Sequence, residues 1–185
     1  MGNIRRINLF GAPHTGKSSV MAWLFSQFKK MGKTVEMTPE WIKQWMYLDR
    51  VPLGFDQLFV SANVLHNEDI ILRSNDDIFI ITDAPVLIGA FYAGWFKQPC
   101  RNEIIEMARA FELRYPSVNF FLEQIETEYS KVGRMHSDEE SKDISSKMLK
   151  FLDEMECKKV VPKIVMGSAL EQEKILEHIL KEIDK

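Results

Sequence analysis

The octapeptide Gly11-Ala12-Pro13-His14-Thr15-Gly16-Lys17-Ser18 constrains this chain more than any other part of it. It has the pattern G-x-x-x-x-G-K-[ST], and the elements that pattern needs stand on either side. Ile4 to Phe10 reads as a buried strand; Ser18 to Met31 carries Val20, Met21, Leu24, Phe25, Phe28 and Met31 at helical spacing and stops at Gly32. Glycines at 11 and 16 let the backbone turn its amides around an anion, and the following helix adds the positive end of its dipole. The loop is therefore predicted to cradle the phosphates of a nucleoside triphosphate, ATP or a similar one, through Gly11, Pro13, His14, Thr15, Gly16, Lys17, Ser18 and Ser19. Lys17 is expected to reach the β- and γ-phosphates and to be catalytic, and Ser18 to offer its hydroxyl to magnesium. His14 sits at a variable position and is expected to border the phosphates without a catalytic part.

Short apolar runs alternate with helical periodicities along the rest of the chain, which is the α/β pattern. Further strands are predicted at Thr34 to Met37, Ile78 to Thr82, Val118 to Leu122 and Lys163 to Met166. Thr38 is expected to cap a helix with Pro39 at its first position and Glu40 in its first turn. A helix over Asp56 to Arg73 is expected to turn Leu58, Phe59, Ala62, Leu65, Ile70 and Leu72 inward, and one over Asn102 to Arg114 to bury Ile105, Ala108 and Phe111. The charged stretch from Glu123 to Lys159 is read as a helical lid, about 124–145, running into a longer helix that buries Ile144, Met148, Phe151, Leu152 and Met155. The last helix turns Ile175, Leu176, Ile179, Leu180 and Ile183 inward. Five strands joined by helices imply one three-layer domain over residues 1–185. Its sheet is five-stranded and parallel, its crossovers right-handed, and its ligand lies beyond the carboxyl ends of the strands.

Length and charge agree with this reading. A chain of 185 residues with 45% hydrophobic residues fills one core. A net charge of -3 leaves no basic footprint for a nucleic-acid backbone, so nucleic acid is not an expected partner. Lys29, Lys30 and Lys33, and Lys158, Lys159 and Lys163, read as solvated clusters near helix ends. Cys100 and Cys157 are too few and too far apart for a disulfide framework or a zinc site, and a reducing, cytoplasmic setting fits. Met1-Gly2 is not read as an acylation site, because Arg6 stands where Ser or Thr is needed. Ile78 to Phe96 is long enough to span a bilayer, but it contains Asp83 and Pro85 and is better read as a buried strand ending at a polar site; no membrane is expected.

Several residues beyond the glycine loop carry candidate chemistry. Asp83 follows the apolar strand Ile78 to Thr82, the place for a carboxylate that holds magnesium opposite the loop; the alternative is an Asp that caps the turn at Pro85. Glu40 lies just past the second strand at the same sheet edge and is read as catalytic, taking the proton of a hydroxyl acceptor, against the alternative of a Glu favoured by a helix dipole. Trp41, Trp45, Tyr47, Phe55 and Phe59 are core residues or a stacking surface for a base, with Trp41 the substrate candidate among them. Gln57 and Asn63 are read as substrate-contacting residues. Within the lid, Lys131, Arg134 and His136 surround Gly133, and Arg134 is the candidate catalytic cation over the transferring phosphoryl group. Gly167 and Ser168, at the end of the last strand, are expected to border the base of the triphosphate.

With these residues assembled, the chain resembles the P-loop kinase-like family that includes nicotinamide riboside kinase domains and many phage-encoded AAA-type ATPase or kinase relatives. RRINLFGAPHTGKSS, PEWIKQW after the second strand, IITDAP at the third and VGRMHSDEES in the lid carry the resemblance. It implies a nucleoside- or nucleotide-kinase-like fold, Lys17 and Ser18 on the triphosphate, Asp83 near magnesium and Glu40 facing the acceptor. Relatives commonly have Arg where this chain has Lys43 and Gln124. The expected activity is an ATP- and magnesium-dependent phosphotransfer to a small nucleoside- or nucleotide-like acceptor, by a monomer or a homo-oligomer. Two other readings stand beside it: a nucleotide-gated ATPase or binding module without a small acceptor, and a kinase of a modified base in DNA.

Overall fold

A computed structural model describes residues 4–74, 77–124 and 138–183. In chain order the elements are β1 (Arg6–Phe10), α1 (Lys17–Lys30), β2 (Val35–Thr38), α2 (Lys43–Met46), α3 (Asp56–Ser74) and β3 (Phe79–Thr82). There follow α4 (Ile88–Trp95), α5 (Arg101–Arg114), β4 (Ser117–Leu122), α6 (Asp138–Cys157), β5 (Ile164–Gly167) and α7 (Gln172–Ile183). The five strands form one sheet in the order β2-β3-β1-β4-β5, and every pairing is parallel. The expected α/β architecture is thus present. β1 is buried along its whole length, as a central strand covered on both faces must be.

Alternate side chains of β1 point into different layers. Ile7 and Leu9 join Val20, Leu24, Phe28, Ile175 and Ile179 under α1 and α7, whereas Phe10 packs with residues of α3, α4, α5 and α6. The helical stripes predicted for α1, α5, α6 and α7 lie largely on these buried faces. β1 lies between β3 and β4, so the connections leaving its carboxyl end and that of β3 part there and leave a crevice over the strand ends. The opposite end of β1 is locked by a buried ion network. Arg6 Nε donates to Glu68 at 3.0 Å and Arg6 Nη1 to Glu112 at 3.1 Å.

Four expectations are corrected. Thr38 ends β2 in register with Thr82 and caps no helix; the next helix, α2, is a single turn that begins at Lys43. In α3 the inward residues are Gln57, Val60, Ser61, Val64, Glu68 and Leu72, while Phe59, Ala62 and Ile70 are exposed, because polar side chains occupy much of the inner face. Apolarity past Asp83 belongs to an unforeseen helix, α4, rather than to a continuing strand. Residues 138–145, read as the end of the lid, are the first turns of α6, and the rest of the lid, with Lys131, Gly133, Arg134 and His136, lies outside the described residues. Among the described residues no helix is long and apolar enough to cross a membrane. Cys100 is buried and Cys157 exposed, both as free thiols.

Candidate functional site

A cleft of about 330 Å³ opens over the carboxyl ends of β1, β2 and β3. The glycine loop forms one wall. Gly11 has φ +146°, and a Cβ there would lie 2.7 Å from Thr15 Oγ1 and 2.9 Å from the Leu122 carbonyl oxygen; Gly16 has φ +79°, and a Cβ there would lie 2.6 Å from that of Ala169. No other residue fits either position. Thr15, fully buried, donates its hydroxyl to the Ala12 carbonyl at 3.1 Å, and Lys17 Nζ folds over the loop to donate to the carbonyls of Gly11 and Ala12, both at 2.8 Å.

Opposite the loop, Asp83 ties three segments together. Its Oδ2 accepts the Ser18 hydroxyl at 2.5 Å, and its Oδ1 accepts the Glu40 backbone N–H at 3.1 Å. Asp83 follows β3 directly, and the next turn is held by Thr82 Oγ1, which accepts the Ala84 N–H at 3.2 Å while donating to the Thr38 carbonyl at 2.9 Å. The β2–β3 register therefore sets where both Asp83 and Glu40 stand. Ser18 and Asp83 place two hard oxygen donors side by side, a set that suits magnesium. Among the described residues no group of three or more His, Cys, Asp and Glu forms a metal cluster.

Glu40 is open to the water of the cleft, but protein surrounds the concavity in which it sits. The loss of bulk solvent pushes its carboxyl pKa above the ordinary 4.5; Lys17 pulls it down, Asp83 pushes it up, and Lys43 pulls it down. Tyr92 of α4 is within electrostatic reach, since its hydroxyl pKa is pushed up first by burial and then by Glu40. The cleft runs from this pair to a largely uncharged half that includes Trp41, Met46, Val60, Ser61, Val86 and Phe96. Trp41 makes edge contacts with Trp45 and Phe59, at 5.7 and 5.3 Å between ring centroids.

The cleft thus brings together Gly11, Pro13, His14, Thr15, Gly16, Lys17, Ser18, Ser19, Glu40, Trp41, Gln57 and Asp83. Asn63 does not line it: its Nδ2 donates along the helix to the Phe59 carbonyl at 2.8 Å. Gly167 and Ser168 do not line it either. They precede Ala169, which backs Gly16, so their loop abuts the glycine loop from behind. Arg134 lies outside the described residues. Reading the sequence missed Tyr92, Gly89 and Phe96, all contributed by α4 or its end; the only signal is the unbroken apolar run after Pro85, which gives no amphipathic period.

A five-stranded parallel sheet of this order, with a glycine loop between β1 and α1 and an Asp at the end of β3, defines a P-loop NTPase of kinase-like fold. The chain belongs to a AAA domain family, whose model matches residues 6–165. No curated protein matches its sequence. Among solved structures, a thymidylate kinase from Candida albicans is similar in fold, with TM-score 0.61 and 16% identity over 97% of this chain and 92% of that one. The protein APE1195 is similar with TM-score 0.55 and 15% identity over 100% of this chain and 96% of that one.

Proposed function

We propose that this protein is an ATP- and magnesium-dependent phosphotransferase acting on a hydroxyl of a small nucleoside- or nucleotide-like acceptor. The observation that carries the reading is the placement of Glu40, with its raised pKa, in one cleft with Lys17, Ser18 and Asp83. A carboxylate held there can take the proton of an attacking hydroxyl, which transfer of a phosphoryl group to an alcohol needs.

The chain's own residues divide the work as follows. The loop amides hold the phosphates, and Lys17 leaves the carbonyls of Gly11 and Ala12 to neutralise charge on the β- and γ-phosphates. Ser18 and Asp83 would hold magnesium, which supplies charge neutralisation at the phosphates when bound. Glu40 takes the acceptor's hydroxyl proton as the oxygen bonds to the γ-phosphorus and the bond from that phosphorus to the β–γ bridging oxygen breaks, releasing ADP. Trp41, Gln57, Tyr92 and Phe96 line the half of the cleft that would hold a flat, mainly neutral acceptor. From sequence alone, Arg134 is assigned to the transferring phosphoryl group, and Gly167 and Ser168 to the base side of ATP. The fold is shared with a thymidylate kinase, which accords with phosphoryl transfer to a small nucleoside- or nucleotide-like acceptor.

The test is incubation with γ-labelled ATP and magnesium against separate pools of nucleosides, nucleoside monophosphates and DNA. Label on a nucleoside or nucleotide is expected. Label on DNA, or only in free phosphate, overturns the reading. A nucleotide-gated binding module is the second reading, favoured by the exposed apolar side chains Tyr47, Leu48, Leu53, Phe55 and Phe59 in the segment between β2 and the first turns of α3.

A further inference from the structure

We infer that Ser141, on α6, is a positioning residue for triphosphate binding: it fixes the peptide plane between Pro13 and His14 and so aims the His14 amide into the phosphate cradle. The inference rests on the reading of this loop as a triphosphate site. Ser141 is fully buried, and its hydroxyl donates to the Pro13 carbonyl at 2.6 Å, across 128 residues of chain. It does not line the cleft, whereas Pro13 and His14 do. The Pro13 carbonyl is therefore drawn away from the cleft toward α6. In a trans peptide the carbonyl and the following N–H point in opposite directions, and no peptide in the described chain is cis. Holding the Pro13 oxygen from behind thus directs the His14 N–H forward.

His14 needs such a hold. Its φ is +71°, in the left-handed region where a side chain is disfavoured, so this turn of the loop does not keep its shape by backbone preference alone. Among the described residues, the side-chain bonds from Lys17 and Thr15 to loop carbonyls do not substitute for that of Ser141. Lys17 grips Gly11 and Ala12, and it must release them to reach a phosphate; Thr15 grips Ala12, one peptide earlier. Ser141 holds Pro13 from outside the cleft and remains in place when Lys17 moves. The first turns of α6 therefore belong to the phosphate-binding apparatus although none of their atoms need touch the ligand.

Isothermal titration of the full chain with inorganic tripolyphosphate, and with ATP and magnesium, tests the inference in two variants of nearly equal shape. Ser141→Thr keeps the hydroxyl, and Ser141→Val replaces it with a methyl group. Strain from the added branch is common to both, so their difference reads the hold on the Pro13 carbonyl, lost in Ser141→Val both through the missing hydrogen bond and through the crowding of a methyl group where the hydroxyl lay 2.6 Å from that oxygen. Ser141→Thr is expected to bind tripolyphosphate about tenfold more tightly than Ser141→Val, the change expected from losing one well-made hydrogen bond. The amide resonance of His14 should move on tripolyphosphate addition in Ser141→Thr and respond less in Ser141→Val. Equal affinities in the two variants, with wild-type protein binding normally, would overturn the role of Ser141. Failure of the wild-type protein to bind either ligand would instead overturn the triphosphate site itself.

Discussion

Asp83 stands 65 residues beyond Ser18 in the chain, yet its Oδ2 accepts the Ser18 hydroxyl at 2.5 Å. The sheet order places β3 beside β1, so the end of one strand faces the start of the helix that follows the other. Because Oδ1 of the same carboxylate holds the Glu40 backbone, the proposed metal donors and the proposed base form one unit.

Asp83→Asn keeps the shape of that unit and removes its charge. The magnesium concentration for half-maximal activity should rise, and turnover at saturating magnesium should fall by about 10- to 100-fold, as when a ligand to a catalytic metal is weakened. The negative charge of Asp83 raises the Glu40 pKa, so in the magnesium-free protein the Glu40 titration midpoint, followed by carboxyl NMR, should move down in this variant. An unmoved midpoint would mean that Asp83 and Glu40 are not coupled.

Glu40→Gln should cut turnover by about 10²- to 10⁴-fold with little change in ATP affinity, because a Gln does not accept the proton. In the wild-type protein kcat/KM should fall on the acid side as Glu40 takes up a proton, and residual activity of the variant should lack that limb. Stability follows the direction of the pKa shift. A carboxyl whose folded pKa is raised contributes stability below its unfolded value near 4.5 and loses that contribution as pH rises through the folded pKa. Glu40→Gln escapes the loss, so its Tm should exceed that of the wild type at pH 8 and converge with it below pH 4.5. An unchanged rate would return Glu40 to a structural role.

How much of this was legible in the sequence follows from where each signal resides. The glycine loop carries its own chemistry, and the apolar strands β1, β3 and β4 stand out because the interior of a parallel sheet is covered on both faces, whereas the edge strands β2 and β5 are shorter apolar signals and partly exposed. α4 was hidden for the opposite reason: Ile88 to Trp95 is apolar all round and shows no polar face. The inner face of α3 was misjudged because Gln57, Ser61 and Glu68 are buried there, Glu68 being matched by Arg6 from a distant strand. The Glu40 pKa and the Ser141 bond to Pro13 depend on contacts between segments far apart in the chain, which no local period records.

At the end of β1 away from the cleft, Arg6 is buried between Glu68 and Glu112 and also donates to the Tyr115 carbonyl at 3.1 Å. Burial pushes the Glu68 pKa up, and Arg6 pulls it down. Arg6→Met would leave these acids without their cation, and the expected loss is about 3–5 kcal/mol of unfolding free energy. Urea denaturation should show it, while ATP affinity of the folded fraction stays as in the wild type. A variant as stable as the wild type would show that the network contributes nothing to the fold.

Gly89→Ala separates the two halves of the cleft. Gly89 of α4 meets α3 so closely that an added Cβ would lie 1.9 Å from Ser61 Oγ and 3.3 Å from Ser61 Cβ, so the Ser61 hydroxyl must turn away and the contact between the helices must loosen to admit it. Both residues line the cleft and neither belongs to the glycine loop, so the part of the cleft walled by α3 and α4 should deform while the phosphate loop keeps its shape. The expected result is a rise of about tenfold in acceptor KM, a change on the order of 1.4 kcal/mol, with ATP KM within twofold of the wild type. Adding Ser61→Ala removes the clashing oxygen and leaves Ser61 Cβ, 3.3 Å from the new methyl, as the nearest α3 side-chain atom. The double variant should therefore recover most of the acceptor affinity. A loss of ATP affinity in Gly89→Ala, or no recovery in the double variant at equal Tm, would show that the α3–α4 contact does not shape an acceptor site.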